Sequence, residues 1–215
     1  MKLYSYFRSS AAYRVRIALN LKGIAYETIP VHLLKDGGQQ LSSDYRDLNP
    51  TGLVPTLADE DWSVGQSMAI LEYLEETHPE PALLPADAKE RARVRAIAQF
   101  IACDIHPLNN LRVLKYLKHE LGVDEDAKNA WYRHWVEDGM AALEAMLGHH
   151  PATGRYCHGD QPTFADLCLV PQVANARRMN CSLDAMPIIV RIDAACAELD
   201  AFQQAAPASQ PDYEG

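Results

Sequence analysis

Apolar positions recur at two different periods along the first eighty residues, and each change of period marks a strand giving way to a helix or the reverse. Leu3 to Phe7 is a short apolar and aromatic run of strand type. A wide apolar stripe follows at Val15, Ala18, Leu19 and Leu21 and stops at Gly23, which predicts strand, turn and helix. Tyr26 to Val31 reads as a second strand, so residues 1–31 fit a right-handed βαβ crossover with parallel strands. Gly37 to Leu48 predicts a shorter, more polar helix, and Asn49-Pro50-Thr51-Gly52 is turn chemistry. Val54 to Leu57, interrupted by Pro55, pairs with Trp62 to Val64 through the acidic turn Asp59-Glu60-Asp61. From Ser67, the apolar positions Ala69, Ile70, Tyr73 and Leu74 keep helical spacing up to the break at Pro79-Glu80-Pro81. The order is βαβαββα.

Residues 79–86 hold three prolines and read as a linker, after which the pattern is helical throughout. Helices are expected over about 87–119, 125–148, 163–179 and 188–204. Thr163-Phe164-Ala165-Asp166 is a capping-box pattern, in which Thr and Asp each satisfy an amide left unpaired at the helix start. Two domains follow: an α/β domain at 1–80 and an all-helical one at 87–215.

Composition agrees and narrows the partners. A chain of 215 residues, 48% hydrophobic and 23% charged, is an ordinary soluble protein with material for two small cores. Its 29 acidic against 20 basic residues give a net charge of -9, which argues against a nucleic-acid or anionic-membrane partner unless basic residues cluster locally. An anionic ligand must therefore meet a local positive site. The opening Met-Lys-Leu-Tyr-Ser-Tyr-Phe-Arg lacks the apolar region of a signal peptide, and no run approaches the ~18 apolar residues of a membrane span, so a cytoplasmic protein is expected. Five widely spaced cysteines (Cys103, Cys157, Cys168, Cys181, Cys196), with no C-x-x-C pair, suggest buried thiols and neither a disulfide framework nor a metal site.

Candidate chemistry gathers at the first strand-to-helix turn, Arg8-Ser9-Ser10-Ala11-Ala12-Tyr13-Arg14, where two hydroxyls meet the unpaired amides and positive end of a helix. Taken alone, Ser9 or Ser10 as a plain N-cap is the stronger reading. Two further signals bear on it. Val54-Pro55 reads either as a cis peptide exposing the preceding backbone to a ligand or as an edge-strand proline. Gln66-Ser67 opens a helix with a hydroxyl suited to a carboxylate or to simple capping.

Together these stretches resemble a known family. Tyr4-Ser5-Tyr6-Phe7-Arg8-Ser9-Ser10 followed by Arg14-Val15-Arg16-Ile17-Ala18-Leu19 is similar to the signature of the zeta-class glutathione transferases, whose members include maleylacetoacetate and maleylpyruvate isomerases. Leu48-Asn49-Pro50, Val54-Pro55-Thr56-Leu57, Gln66-Ser67, Leu83-Leu84-Pro85 and Ala165-Asp166-Leu167-Cys168-Leu169-Val170-Pro171-Gln172-Val173 extend the resemblance over nearly the full chain. It implies a thioredoxin-like N-terminal domain, an all-α C-terminal domain, glutathione as cofactor, a homodimer, and a small dicarboxylic oxo acid as substrate. The implied reaction converts maleylacetoacetate to fumarylacetoacetate, or maleylpyruvate to fumarylpyruvate, in aromatic amino acid catabolism.

Carried over by residue, Ser9 and Ser10 face the glutathione sulfur, with Ala11, Ala12, Tyr13 and Arg14 completing that binding turn. Gln66 and Ser67 take the γ-glutamyl carboxylate, Val54 the cysteinyl backbone and Gln40 the glycyl end; His106 with Asn110, Leu111 and Arg112 comes from the helical domain. Arg8, Arg112, Arg177 or Arg178, and His106 are the candidates for the substrate carboxylates, since arginine matches a planar carboxylate in two hydrogen bonds. Two departures stand out. The family's Ser-Ser-Cys-Ser reads Ser9-Ser10-Ala11-Ala12, which removes a cysteine and disfavours thiol-dependent dehalogenation, and His106 stands where other members carry glutamine. A transferase that conjugates small electrophiles shares every N-terminal feature, and a non-catalytic binding module of the same fold is the rival from another class.

Overall fold

The computed structural model describes residues 1–214, which form two compact units: residues 1–83 together with 197–214, and residues 84–196. In the first unit β1 (Lys2–Ser5) leads into α1 (Ser10–Leu21), β2 (Glu27–Pro30), α2 (Ser43–Leu48), β3 (Thr56–Asp59), β4 (Trp62–Gly65) and α3 (Ser67–Thr77). The sheet order is β2-β1-β3-β4, with β1 parallel to β2 and antiparallel to β3, so the expected βαβαββα order holds. Register places Leu3 opposite Leu57, and both are fully buried, as are Val15, Ile17 and Leu19 of α1 and Ile70, Leu71 and Leu74 of α3, the two helices packing on each other.

Helix α1 ends as the sequence indicates. Gly23 takes φ 64, the Gly23 N–H bonds Asn20 O at 3.1 Å, and the Ile24 N–H bonds Leu19 O at 2.9 Å, a Schellman closure that favours glycine. The expected helix over 37–48 is shorter. Only Ser43–Leu48 is α-helical, because Gly37 and Gly38 adopt φ 81 and 116 and break the preceding stretch into single 3₁₀ turns.

The second unit is helical: α4 (Ala88–Gln99), α5 (Leu111–His119), α6 (Glu125–Gly148), α7 (Phe164–Arg178) and α8 (Pro187–Ala197). The single helix expected over 87–119 is interrupted by a π turn at Phe100–Ile105 and a 3₁₀ turn at His106–Asn109, where Pro107 has no N–H to continue the ladder. Gly139 of α6 lets that π turn approach, since a Cβ there would lie 2.6 Å from Ile105 Cγ1. Helix α7 is buried along most of its length and is anchored at its start by the expected capping box. Asp166 accepts from the Cys157 N–H and the Thr163 N–H, each at 2.8 Å, and from the Thr163 hydroxyl at 3.0 Å. Burial pushes the Asp166 carboxyl above its ordinary range, against the pull of these hydrogen bonds.

The last stretch departs from the expected boundaries. The helix expected over 188–204 is two helices, α8 and α9 (Asp200–Ala205), and α9 packs on α1 in the first unit, with Phe202 buried and the Asn20 side chain bonded to Ala201 O at 3.0 Å. Residues 197–214 cluster with the α/β unit, and Phe202 and Ala205 are buried there. Of the five free cysteines, four are buried as expected, while Cys103 is exposed on the π turn. No helix among the described residues is long and apolar enough to cross a membrane.

Candidate functional site

The β1–α1 turn is built by local hydrogen bonds. The Ser9 N–H bonds Tyr6 O at 2.9 Å, and Ser9 is the N-cap of α1, its Oγ accepting from the Ala12 N–H at 3.2 Å. Capping and ligand binding are compatible at Ser9: the cap uses the oxygen as acceptor and leaves the hydroxyl proton to donate to a neighbouring anion. Ser9 is half-buried at the helix start, whereas Ser10, the first helical residue, is buried. Ala11 is half-buried, and Ala12 and Tyr13 are buried, the Tyr13 hydroxyl reaching Phe202 O at 3.4 Å. These two residues face the core. Arg8 is exposed, its guanidinium over the Tyr6 and Phe7 rings at 5.7 and 5.4 Å.

Arg14 joins this turn to the start of α3. It is 2% exposed, and its Nη1 donates to Ser67 Oγ at 3.2 Å. Its Nε and Nη2 are buried without a hydrogen-bond partner among the described residues. A buried guanidinium left in that state calls for an anion. Ser67 is itself buried as the first residue of α3, and Gln66 before it adopts φ 65 and ψ 106, a conformation costly for a residue with a Cβ and of the kind that gathers at ligand sites. Gln40 is buried, and its Oε1 also lacks a partner. These orphaned groups fit a peptide ligand that carries carboxylates and amides, as glutathione does.

The Val54-Pro55 bond is cis, one of the two sequence alternatives, and Val54 is half-buried. The loop before it is held by Asn49 and Tyr45: the Asn49 Nδ2 and the Tyr45 hydroxyl both donate to Leu53 O, at 2.9 and 2.7 Å, and both also meet Thr56 Oγ1 at 2.9 Å. Asn49 Oδ1 accepts from Thr51. Sequence reasoning took Asn49 for turn chemistry alone; its side chain in fact fixes the segment that presents Val54.

In the helical unit, His106 begins the 3₁₀ turn, half-buried, with its Nε2 3.4 Å from Asn110 Nδ2. Asn110 caps α5 through its Oδ1, which accepts from the Arg112 N–H at 3.1 Å. Leu111 and the exposed Arg112 thus occupy the positive end of α5, where a cation gains from an added anion. Arg177 is already paired: its Nη1 lies 2.5 Å from Asp193 Oδ2, a carboxyl raised by burial and held back by that guanidinium. Arg178 is exposed beside the Met179 sulfur.

Arg16 was missed. It is fully buried on α1, and its Nε donates to Ala205 O at 2.9 Å, Nη1 to Ser5 Oγ at 3.0 Å and Nη2 to Phe7 O at 3.1 Å. Burial lowers its pKa to about 10, so it stays charged at neutral pH. A basic residue inside the run Val15-Arg16-Ile17-Ala18-Leu19 was the available signal.

Residues 3–82 match the family model for the glutathione S-transferase N-terminal domain, and 126–207 that for the C-terminal domain. A maleylacetoacetate isomerase of Rattus norvegicus is 50% identical, the alignment covering 98% of this chain and 94% of the relative. Among solved structures, a maleyl pyruvate isomerase described as a bacterial glutathione S-transferase of zeta class is 53% identical with TM-score 0.96 over the whole of both chains. A maleylacetoacetate isomerase of Methylobacterium extorquens AM1 with bound malonate and GSH is 41% identical, again with TM-score 0.96 over the whole of both chains.

Proposed function

The chain belongs to the glutathione S-transferase family, in its zeta class, and on that premise we propose that it is a glutathione-dependent cis–trans isomerase of maleyl-substituted oxo acids. Its substrate is maleylacetoacetate or maleylpyruvate, the two substrates that the similar proteins are named for. The observation that carries the reading is the buried, incompletely paired Arg14 bonded to Ser67, a cationic seat ready for an anionic peptide. Two relatives support the ligand class, one holding malonate with GSH and another dicarboxyethyl glutathione with citrate.

Glutathione held there would supply a thiolate nucleophile suited to reversible addition at a conjugated cis double bond. The residues of this chain prepare for that chemistry. Ser9 directs its hydroxyl proton toward the sulfur at the positive end of α1, which favours the thiolate over a thiol whose free pKa is about 8.5. Ser10 shares this helix start. Arg14, Ser67 and Gln66 hold the γ-glutamyl carboxylate, Val54 the cysteinyl backbone and Gln40 the glycyl end. For His106, Asn110 and Leu111 of the helical unit, a part in glutathione binding rests on the family resemblance alone. Arg8, exposed beside Ser9, is assigned to a substrate carboxylate and to the negative charge that builds in the transition state, and for Arg112 of the helical unit the same role rests on the resemblance alone. Arg177 joins them only by leaving Asp193.

Isomerisation returns glutathione unchanged, whereas conjugation consumes it. Turnover of both maleyl acids should therefore require glutathione while its total stays constant, as followed by product absorbance and a thiol count. Equal turnover without glutathione, or loss of one thiol per product, would sink the proposal. We assign the protein to the cytoplasm and to a homodimer on the same reading.

A further inference from the structure

The turn that carries Arg8 and Ser9 is held on both sides by charged side chains that are far apart in sequence. Arg16 grips its carbonyls: Nη2 donates to Phe7 O at 3.1 Å and Nη1 approaches Tyr6 O at 3.4 Å, the same carbonyl that accepts the Ser9 N–H. From the other side, Asp212 Oδ2 accepts the Phe7 N–H at 2.9 Å, and its charge also acts on Arg16. Beside it the Tyr213 ring meets the Phe7 ring edge-on at 5.5 Å, and Glu214 pairs with Lys35 and with His32, whose ring packs on Tyr6. Tyr6 and Phe7 are both buried by these contacts.

We propose that Asp212 is a positioning residue for the reaction: with Arg16 it clamps the Phe7 peptide on its N–H and C=O sides and thereby sets where Ser9 and Arg8 stand. This rests on the function proposed above. A turn of this kind, joined only by its own backbone bonds, would sample several geometries, and a displacement of about 1 Å at a catalytic group can cost about a hundredfold in rate. Ser9 is two residues from the clamped peptide, and its N–H shares the Tyr6 carbonyl with Arg16, so loosening Asp212 reaches the hydroxyl through one short chain of bonds. Among the described residues Asp212 is hydrogen-bonded to the Phe7 N–H and not to Ser9 Oγ or Ser67 Oγ, which distinguishes it from the residues assigned to ligand binding.

The test compares wild type with Asp212→Ala and Asp212→Asn in three measurements. Hydrogen exchange of the Phe7 amide in the ligand-free protein should be slow in wild type and at least tenfold faster in Asp212→Ala. The apparent pKa of bound glutathione, titrated by thiolate absorbance without any maleyl acid, should rise by about one unit in Asp212→Ala, with glutathione affinity within about threefold of wild type. The turnover number at neutral pH should fall about ten- to a hundredfold. Asp212→Asn keeps an oxygen acceptor for the Phe7 N–H but not the charge facing Arg16, so it should fold and recover part of each effect; it decides the matter if the alanine variant does not fold. A thiol pKa and turnover number unchanged in the variants, or a rate loss matched by weakened glutathione binding with no thiol shift, would overturn the clamp. Wild-type turnover tests the isomerase reading separately, because exchange and thiol titration use no maleyl acid.

Discussion

At Ser9 one oxygen serves two purposes, and a pair of substitutions separates them. Ser9→Ala removes both the cap and the donor and is expected to cost about 1 kcal/mol of stability and to raise the bound thiol toward its free value of about 8.5. Ser9→Asn restores a capping oxygen without the hydroxyl, so stability should return while turnover stays low; urea unfolding beside steady-state rates reads the split. Recovery of turnover in the asparagine variant would show that the cap alone matters. Arg14 makes a sharper case, since a buried cation with two unpaired nitrogens is unfavourable until an anion arrives. Arg14→Met should leave the ligand-free protein as stable or more so, yet weaken glutathione by about tenfold, about 1.4 kcal/mol, by calorimetry. Unaltered binding would remove Arg14 from the site.

Helix α7 shows how an element start can govern a whole unit. Its Asp166 accepts three hydrogen bonds in full burial, and asparagine, with one oxygen, cannot replace them. Asp166→Asn should lower stability by about 2 to 4 kcal/mol in urea titrations, and a loss under 0.5 kcal/mol would contradict the capping account. The pH dependence has a definite sign. Burial raises the folded-state pKa above its ordinary value of 3.8, so the native protein holds the proton more tightly than the unfolded chain does. Wild-type stability relative to Asp166→Asn should therefore fall as pH rises from 3.8 through that raised value, and a relative stability that climbs over the same window would refute it. The same element scale shows where pattern reading stops: Thr163 to Asp166 spans four letters of local sequence and was legible, whereas the π turn before Pro107 changes the ladder without changing the apolar spacing.

Across the whole molecule, the notable point is that residues 197–214 cluster with the α/β unit. Phe202 and Ala205 fill its core against α1, and Ala205 O takes the Arg16 Nε. Loss of one buried phenylalanine costs about 3 kcal/mol, so a chain shortened at Ala197 is expected to melt lower by at least about 10 °C or to aggregate, as scanning calorimetry would show. A soluble product with unchanged melting would mean that α9 is an ornament on α1. Net charge acts at this scale too: with -9 overall, anionic ligands are attracted only by the local cations, which is why Arg8, Arg14 and Arg112 matter more than the mean field.

The amino-acid pattern alone determined the βαβαββα order, the helical character of the second half and the turn that bears Ser9, because strand and helix periods, prolines and caps act over neighbouring residues. Recognition of the motifs added the ligand and the reaction. Tertiary structure decided which charges are spent and which are left over: Arg16 on backbone carbonyls, Arg177 on Asp193, Arg14 incompletely paired. It also brought Asp212 to the Phe7 amide, 205 positions away. No local pattern can announce such a bond, since its strength depends on a meeting of segments that only the packed chain arranges.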